Sequence, residues 1–376
     1  MTLAIISHTE HYITQDGSIV GWGPTVNEIN HLLSIFDSIV HVAMLHPGTP
    51  PASAMPYCSD KITFVSIPVV GGTTFLHKVN ILWHAPGILQ TVSKTLEQVD
   101  YFQLRTPMGL GVFLIPYLTF FSKAKGWYKY AGNWNQEHPP LGYRLQRWML
   151  KKQLRKVTIN GHWTNQPKHC LSFENPCLTL DDINDGQDII KHKHLTGKLS
   201  FCFVGRLERE KGVERIIKAF GLLSDTEKLK VETVHLVGDG LEFDYFEDLS
   251  QQTDVDFVFH GFLPRPKVLD VYRQCHVFLL PTTASEGFPK VIAEAMNYGC
   301  VPILSQISSI GQYIKHEHNG ILLEAASSEH LLNAIITTLR WSNPDYHRFM
   351  DSTTKLLQYF TFSHYNTRIQ NEIFTS

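Results

Sequence analysis

Cysteine is scarce in this chain, and its spacing matches no metal-binding motif. The six cysteines stand at positions 58, 170, 177, 202, 275 and 300, without a CxxC pair. Several fall inside apolar stretches that predict strands, which is typical of reduced thiols in a buried core. This use of cysteine favours a cytoplasmic protein.

Long apolar runs and an excess of charge are also missing. The longest apolar run, residues 110–121, is too short to cross a bilayer and contains Pro116. No basic leader precedes the first predicted strand, so no signal peptide is expected. The 33 Lys and Arg residues nearly balance the 35 Asp and Glu residues, which argues against broad nucleic-acid binding. The sequence therefore predicts a soluble or peripheral protein.

The chain does contain enough apolar sequence for two domains. Its 376 residues, 43% of them hydrophobic, can fill two cores of ordinary size. The polar stretch 181–198 is typical of a linker. The prediction is thus a first domain over 1–180, a linker over 181–198, a second domain over 199–360 and a helical C-terminal segment over 361–376.

One stretch of the second domain has the pattern of a strand followed by a helix start. The apolar run 277–281 predicts a buried strand of a parallel sheet. Gly287 then permits a close approach, and Pro289 suits the first turn of a helix. Apolar residues recur beyond it at helical spacing, so one helix face is expected to pack on the sheet.

Two carboxylates flank this predicted helix start. Glu286 lies just ahead of it, and Glu294 lies about 7.5 Å further along the helix axis. The open amides between them, with Lys290 nearby, form an anion site. Hydroxyl-binding carboxylates on either side of a phosphate site match the shape of a nucleotide sugar. Two ordinary surface glutamates on a solvated helix are the alternative.

Other strand ends of the second domain carry glycines and cations. A predicted strand ends at Gly205, and Arg206 and Lys211 follow it before the next helix. Two further predicted strands end at Gly238 and just before Phe262. Open α/β sheets bind ligands beyond the carboxyl ends of their strands. The turn after Gly205 is therefore a second candidate element of the same site.

In this order and spacing, residues 199–323 resemble the donor-binding domain of the retaining glycosyltransferases of family 4. The resemblance implies the α/β GT-B fold: two Rossmann-like, doubly wound parallel-sheet domains facing a cleft, with a C-terminal helix that crosses back to the first. It also implies a nucleoside-diphosphate-sugar donor, a glycan or lipid-linked acceptor and a setting in surface polysaccharide synthesis.

The resemblance further implies a role for each matching residue. Arg206 and Lys211 would hold the donor diphosphate and neutralise it as it departs, so that no metal or other cofactor is needed. Glu286 would contact the transferred sugar, and Glu294 the nucleotide ribose. The predicted catalytic residues are Glu286, Arg206 and Lys211. The predicted donor-binding residues are Gly205, Arg206, Lys211, Gly238, Phe262, Glu286, Gly287, Phe288, Pro289, Lys290 and Glu294.

The first domain offers acceptor-site candidates. Gly21 and Gly23 supply two glycines of a dinucleotide fingerprint, but Val26 stands where the third should be, which argues against an NAD site. The resemblance implies that this loop faces the cleft, and a plain turn is the alternative. Family members often carry a histidine near the end of the strand equivalent to 101–105. This sequence has Gln103 and Arg105 there instead. Arg105 is the better candidate, for an anionic acceptor or the leaving phosphate, with a salt bridge as the alternative.

Residues 123–168 form a basic segment, with ten Lys and Arg residues against Glu137 alone. Aromatic residues are interleaved, and the apolar run 110–121 lies just before it. This pattern favours contact with anionic lipid at the inner face of the plasma membrane. A solvated basic helix over 143–156, with its apolar side chains packed inwards, is the alternative. Nucleic-acid binding gains no other support.

Two other functions compete with a metal-independent transferase. Asp254 and Asp256 could form the metal motif of a GT-A enzyme, but they precede a predicted strand, where a surface turn is expected. A GT-B-like binding or scaffold protein that has lost catalysis is the other alternative. The absent cleft histidine favours it, whereas the intact set of Arg206, Lys211, Glu286 and Glu294 argues against it.

Overall fold

The computed structural model describes residues 1–72 and 75–374. The chain divides into two compact units. Unit 1 takes Met1–Glu174 and the C-terminal residues from Tyr365, and unit 2 takes Asn175–His364. The chain thus enters unit 2 before the predicted boundary at residue 180 and leaves it close to the predicted one at 361.

Unit 1 is built on a nine-stranded, largely parallel sheet. The strands are β1 (Thr2–Ile13), β2 (Ile19–Trp22), β3 (Ser38–Leu45), β4 (Ala54–Pro56), β5 (Ile62–Ile67), β6 (Tyr101–Thr106), β7 (Lys125–Tyr130), β8 (Val157–Ile159) and β9 (Cys170–Ser172). The parallel order is β5-β3-β1-β6-β7-β8-β9, and the end of β1 pairs antiparallel with β2, which pairs with β4. The helices are α1 (Gly23–Leu32), α2 (Phe75–Leu96), α3 (Gly111–Pro116), which continues as a π-helical turn (Tyr117–Phe121), and α4 (Leu141–Lys152).

Unit 2 contains six parallel strands in the order β12-β11-β10-β13-β14-β15. They are β10 (Leu199–Val204), β11 (Val231–Val237), β12 (Phe257–Phe259), β13 (Val277–Leu280), β14 (Val301–Ser305) and β15 (Ile321–Leu323). The helices are α5 (Leu180–His192), α6 (Val213–Gly221), α7 (Asp225–Lys228), α8 (Phe243–Ser250), α9 (Arg265–Gln274), α10 (Lys290–Asn297), α11 (Ile310–Tyr313), α12 (Ser328–Thr338), α13 (Asn343–Asp351) and α14 (Thr354–Leu357). The strand order reverses between β10 and β13, which is the ligand-binding position of such sheets.

The last helix, α15 (Phe362–Arg368), continues as a π-helical turn (Ile369–Ile373) and packs on the sheet of unit 1. Tyr365 and Ile369 join Leu3 and Ile5 of β1 in one buried cluster. The alternate residues of β1 enter a second cluster on the opposite face, as the two-residue period of a strand requires. The predicted return of the C-terminal helix to the first domain is confirmed.

Most of the predicted linker 181–198 is helical: helix α5 runs to His192, and a short non-helical segment follows it. Thr179 and Asp182 form a capping box, so the acidic residues that resembled a linker are the first turn of a helix. Beyond the helix, the buried Lys193 ammonium donates to the carbonyl oxygens of Tyr272 (2.8 Å) and Tyr298 (2.6 Å). These carbonyls lie at the C-terminal ends of α9 and α10, where a cation is stabilising.

The basic segment, residues 123–168, was predicted to be a surface, but part of it is buried. It contains β7, whose Trp127, Tyr128 and Tyr130 are among the most deeply buried side chains of unit 1. Lys129 is buried there in an ion pair with Glu28. All six cysteines are free and five are buried, as the sequence predicted. Among residues 1–72 and 75–374, no helix is long and apolar enough to span a bilayer.

Candidate functional site

The turns after β10 and β13 meet where the strand order of unit 2 reverses. The Thr283 amide and the Thr282 hydroxyl donate to the carbonyl oxygen of Glu210, at 2.8 and 3.1 Å. These bonds tie the loop ahead of Glu286 to the short 3-10 turn that carries Lys211. Two turns that are distant in sequence therefore lie side by side.

Lys211 and Glu286 form an ion pair inside that site. The lysine side chain is only 11% exposed, whereas the glutamate is 41% exposed. The ammonium thus lies beneath the surface and the carboxylate at its edge. A ligand phosphate that reached Lys211 would have to lie beside Glu286, so two of the three predicted catalytic residues are neighbours.

Gly238 brings the neighbouring strand end into contact with this site. Its φ is +134°, and a Cβ added to it would lie 1.8 Å from the carbonyl oxygen of Gly205. Its amide donates to the carbonyl oxygen of Gly261 (2.8 Å). Only glycine permits this approach, so the turns after β10, β11 and β12 converge.

Arg206 and Phe262 lie at the rim formed by those turns. The Arg206 side chain is 71% exposed and pairs with Glu208 at 2.8 Å. Phe262 follows Gly261 and is an exposed aromatic side chain at the end of β12. An exposed cation and an exposed aromatic side chain therefore lie on the turns that follow β10 and β12.

Helix α10 starts one residue later than predicted, at Lys290, with Pro289 as its N-cap residue. Phe288 just ahead of it is buried and stacks on Phe360. Its carbonyl oxygen accepts a hydrogen bond from the Asn175 side chain at 3.2 Å. These contacts fix the helix start, where the positive end of the helix dipole favours an anion.

Glu294 lies in the second turn of α10, and it is not the surface residue of the alternative hypothesis. Its side chain is 16% exposed. Burial raises the pKa of its carboxyl, against the lowering effects of Arg265 and Lys290. No motif or spacing in the sequence indicated Arg265, because this residue approaches Glu294 only through the packing of α9 on α10.

In the predicted acceptor loop of unit 1, close packing explains why Gly21 and Gly23 are glycines. Gly21 lies in β2 opposite His11, and a Cβ there would lie 2.4 Å from the His11 ring. That ring hydrogen-bonds Tyr57, and burial lowers the pKa of His11 to about 4. A Cβ on Gly23 would lie 2.7 Å from the carbonyl oxygen of Ser53. Both glycines are therefore required for packing, and their acceptor role stays a prediction.

Arg105 is also engaged inside unit 1. Its guanidinium is 2.9 Å from Glu28 and donates to the Gln103 side chain at 3.0 Å. The side chain is buried, and Lys129 pairs with the same glutamate. The salt bridge considered as the alternative is therefore present, and a role toward the acceptor stays a prediction.

The aspartates of the competing metal hypothesis lie apart from this site. Asp254 is exposed and pairs with Lys228 at 2.9 Å, and Asp256 accepts from the Thr233 hydroxyl at 2.9 Å. Both belong to the turn before β12, as expected. Within the described part of the chain, no three His, Cys, Asp or Glu side chains cluster as metal ligands.

Comparison with known sequences points to one family for unit 2. Residues 185–355 match the family described as glycosyl transferases group 1. A stretch of 121 residues, 32% of this chain, is 35% identical to an uncharacterized glycosyltransferase of Methanocaldococcus jannaschii and covers 30% of it. A stretch of 128 residues, also 32% of this chain, is 33% identical to the lipopolysaccharide 1,6-galactosyltransferase of Salmonella typhimurium and covers 34% of it. The chain thus spans about a third of the length of these relatives.

Comparison with solved structures covers both units. The Anabaena HepE protein, crystallised with UDP, matches all of this chain over its own full length, with a TM-score of 0.71 and 16% identity. WaaG, a glycosyltransferase involved in lipopolysaccharide biosynthesis, matches with a TM-score of 0.66 and 14% identity over all of both chains. This likeness shows the fold, which is of the GT-B type with two parallel-sheet α/β domains.

Proposed function

We propose that this protein is a retaining glycosyltransferase of family 4. It moves a sugar from a nucleoside-diphosphate sugar to a glycan or lipid-linked acceptor in surface polysaccharide synthesis. The observation that carries the proposal is the ion pair of Lys211 and Glu286 at the point where the strand order of unit 2 reverses. The match of residues 185–355 and the UDP bound to HepE support it.

The charges of this site suit the departure of a nucleoside diphosphate. As the anomeric bond breaks, negative charge grows on the diphosphate oxygens. Lys211 lies beneath the surface, where a cation acts more strongly than in water, and the exposed Arg206 can close over the phosphates. The N-terminal end of α10, with its positive dipole, adds a third positive group. These groups neutralise the leaving diphosphate without a metal ion.

The carboxylates of Glu286 and Glu294 bind the other two parts of the donor, the transferred sugar and the ribose. Glu286 is next to Lys211 and partly exposed, so it contacts the transferred sugar beside the diphosphate. Glu294 lies one turn further into the fold and accepts hydrogen bonds from the ribose hydroxyls. Phe262 offers a stacking surface for the base. In this proposal the phosphates contact cations, the transferred sugar contacts a carboxylate, and the nucleoside contacts a carboxylate and an aromatic ring.

Contact with anionic membranes forms a further part of the proposal. Leu141, Leu145 and Trp148 are exposed on one face of α4, and Phe120 and Phe121 are exposed at the end of the π-helical turn that follows α3. The alternative of inward-packed side chains is therefore wrong for Leu145 and Trp148. Exposed lysine and arginine side chains also lie on α4. Apolar and cationic side chains together are the pattern of a protein that lies on a membrane surface.

A donor screen tests the proposed activity. The protein is mixed with a panel of nucleotide sugars, and thermal stabilisation and slow donor hydrolysis are measured without acceptor. A transferase is stabilised by its donor and cleaves it, whereas the Lys211→Met variant should lose both properties. A variant of the exposed Lys198, which lies outside the site, is the control. A protein that neither binds nor cleaves any nucleotide sugar would be a scaffold.

A further inference from the structure

An arginine outside the predicted donor site reaches the carboxylate of Glu294. Arg265 is the first residue of α9, and its guanidinium donates to both carboxylate oxygens of Asp182, at 3.1 and 2.8 Å. It also donates to the carbonyl oxygen of Cys177 at 3.2 Å. Its Nε is buried and has no hydrogen-bond partner among the described residues. That Nε lies 3.8 Å from Glu294 Oε1.

Asp182 fixes the orientation of Arg265. It is the third residue of α5, and its carboxylate accepts from the Thr179 amide (2.7 Å) and hydroxyl (2.8 Å) in the capping box. Its carbonyl oxygen accepts from the side chain of Asn297, at the end of α10, at 2.7 Å. A two-pronged guanidinium–carboxylate pair has a defined plane. The buried Nε is therefore held toward α10.

The surroundings of Glu294 contain few charges. The ionisable groups around its carboxylate are Arg265 and Tyr272 of α9, Lys290 of α10 itself, Asp182 of α5 and Cys177 ahead of α5. Strands β13 and β14 pack on α10 and contain no ionisable residue, and the charged residue of α14, Lys355, is exposed. Burial raises the pKa of Glu294, and Arg265 is the first of the groups that lower it.

We propose that Arg265 is a positioning residue of the donor site, which keeps Glu294 a carboxylate directed at the two ribose hydroxyls. This inference rests on the proposed function, because it requires a nucleotide beside Glu294. Without a cation next to it, a carboxylate in this buried place takes up a proton more readily. A neutral carboxyl is a weaker acceptor than a carboxylate, so ribose binding would weaken.

Arg273 provides a matched control on the same helix. It pairs with Asp185 of α5 at 2.5 Å and with Asp270 at 2.8 Å, so it also ties α9 to α5. Its side chain is 32% exposed, against 37% for Arg265. Among the described residues, its carboxylate partners are Asp185 and Asp270 and do not include Glu294. Arg273→Met therefore removes a similar helix–helix pair and leaves the charge beside Glu294.

The first test needs no nucleotide. The pKa of the Glu294 carboxyl is measured by NMR titration of the side-chain carboxyl carbon in the full chain, with Glu294→Gln for assignment. We expect a higher pKa in Arg265→Met than in wild type and in Arg273→Met. Arg265→Lys should lie between Arg265→Met and wild type, because it restores the charge without the two-pronged pair. An equal pKa in wild type and Arg265→Met would overturn the proposal.

The second test measures UDP binding by calorimetry, with ADP and GDP in parallel, at neutral and mildly acidic pH. Arg265→Met should bind about tenfold more weakly or worse, as expected when a hydrogen bond to a charged group is lost. Its binding should start to fall at a higher pH than in wild type, because protonation of Glu294 begins earlier. Wild type and Arg273→Met should prefer UDP over 2′,3′-dideoxy-UDP, and Arg265→Met should lose that preference.

The outcomes separate this inference from the proposed function. If wild type binds a nucleotide and Arg265→Met binds it equally well, with the ribose preference intact, the role of Arg265 is refuted and the proposed function stands. If no nucleotide binds to wild type, both fail, whatever the titration shows. Loss of the ribose preference in Arg273→Met as well would assign the effect to helix packing and overturn the role of Arg265.

Discussion

Gly238→Ala is the sharpest test of how the strand ends of unit 2 converge. The new Cβ would lie 1.8 Å from the carbonyl oxygen of Gly205, at a backbone φ of +134°. The backbone strain is worth about 1–3 kcal/mol and the overpacking about 1–3 kcal/mol, so the expected loss of stability is about 2–6 kcal/mol. For a unit of this size that lowers the Tm by about 4–24 °C.

Gly261→Ala is the control, because Gly261 also has a positive φ (+62°) but its Cβ would meet nothing within 4 Å. Gly261→Ala should lose only the stability that a left-handed backbone costs a non-glycine residue, about 1–2 kcal/mol. Thermal unfolding of both variants is followed by calorimetry, together with UDP binding. Gly238→Ala should be less stable than Gly261→Ala and bind more weakly, because the turn after Gly205 must move. Equal Tm values for the two variants would refute the close approach of these turns.

Three further predictions concern the proposed activity. Turnover should survive EDTA, because Lys211, Arg206 and the α10 amides neutralise the diphosphate; loss of turnover that Mn²⁺ or Mg²⁺ restores would contradict this. The product should keep the anomeric configuration of the donor, and an NMR assignment that shows inversion would exclude the retaining mechanism. The protein should co-sediment with anionic but not neutral liposomes and be released by salt. Leu145→Asn and Trp148→Asn should weaken liposome binding. Leu229→Asn, at an exposed apolar position of unit 2, is the control and should bind as wild type does. Unchanged binding in all three variants would locate the membrane contact elsewhere.

Strands could be predicted where burial on both faces of the sheet produces a continuous apolar run in the sequence. Strands β10 and β13 are buried on both faces and appear in the sequence as apolar runs. Strand β7 was not predicted, because Lys125 and Lys129 give it the composition of a surface segment. Lys129 is nevertheless buried, paired with a glutamate 101 residues away in sequence. Only the packed structure shows such a pair.

The candidate site was predictable for residues in loops with a recognisable spacing. Glu286, Lys211 and Gly238 follow strands, and the structure brings their turns together. Arg265 could not be found, because its partner Asp182 is 83 residues earlier in sequence and lies in a stretch that resembled a linker. The acids of that stretch cap and open a helix, and composition alone does not distinguish this from a solvated loop.

The central claim is that the two glutamates flanking the start of α10 bind different parts of one donor. It is tested by measuring the donor dissociation constant and the turnover of Glu294→Gln and Glu286→Gln beside wild type. Glu294→Gln should bind donor about 10- to 150-fold more weakly, as for a lost charged hydrogen bond, with turnover at saturation largely kept. Glu286→Gln should lower turnover more than affinity, because its contacts change as the sugar is transferred. If Glu294→Gln binds the donor as tightly as wild type, the assignment of this site is wrong.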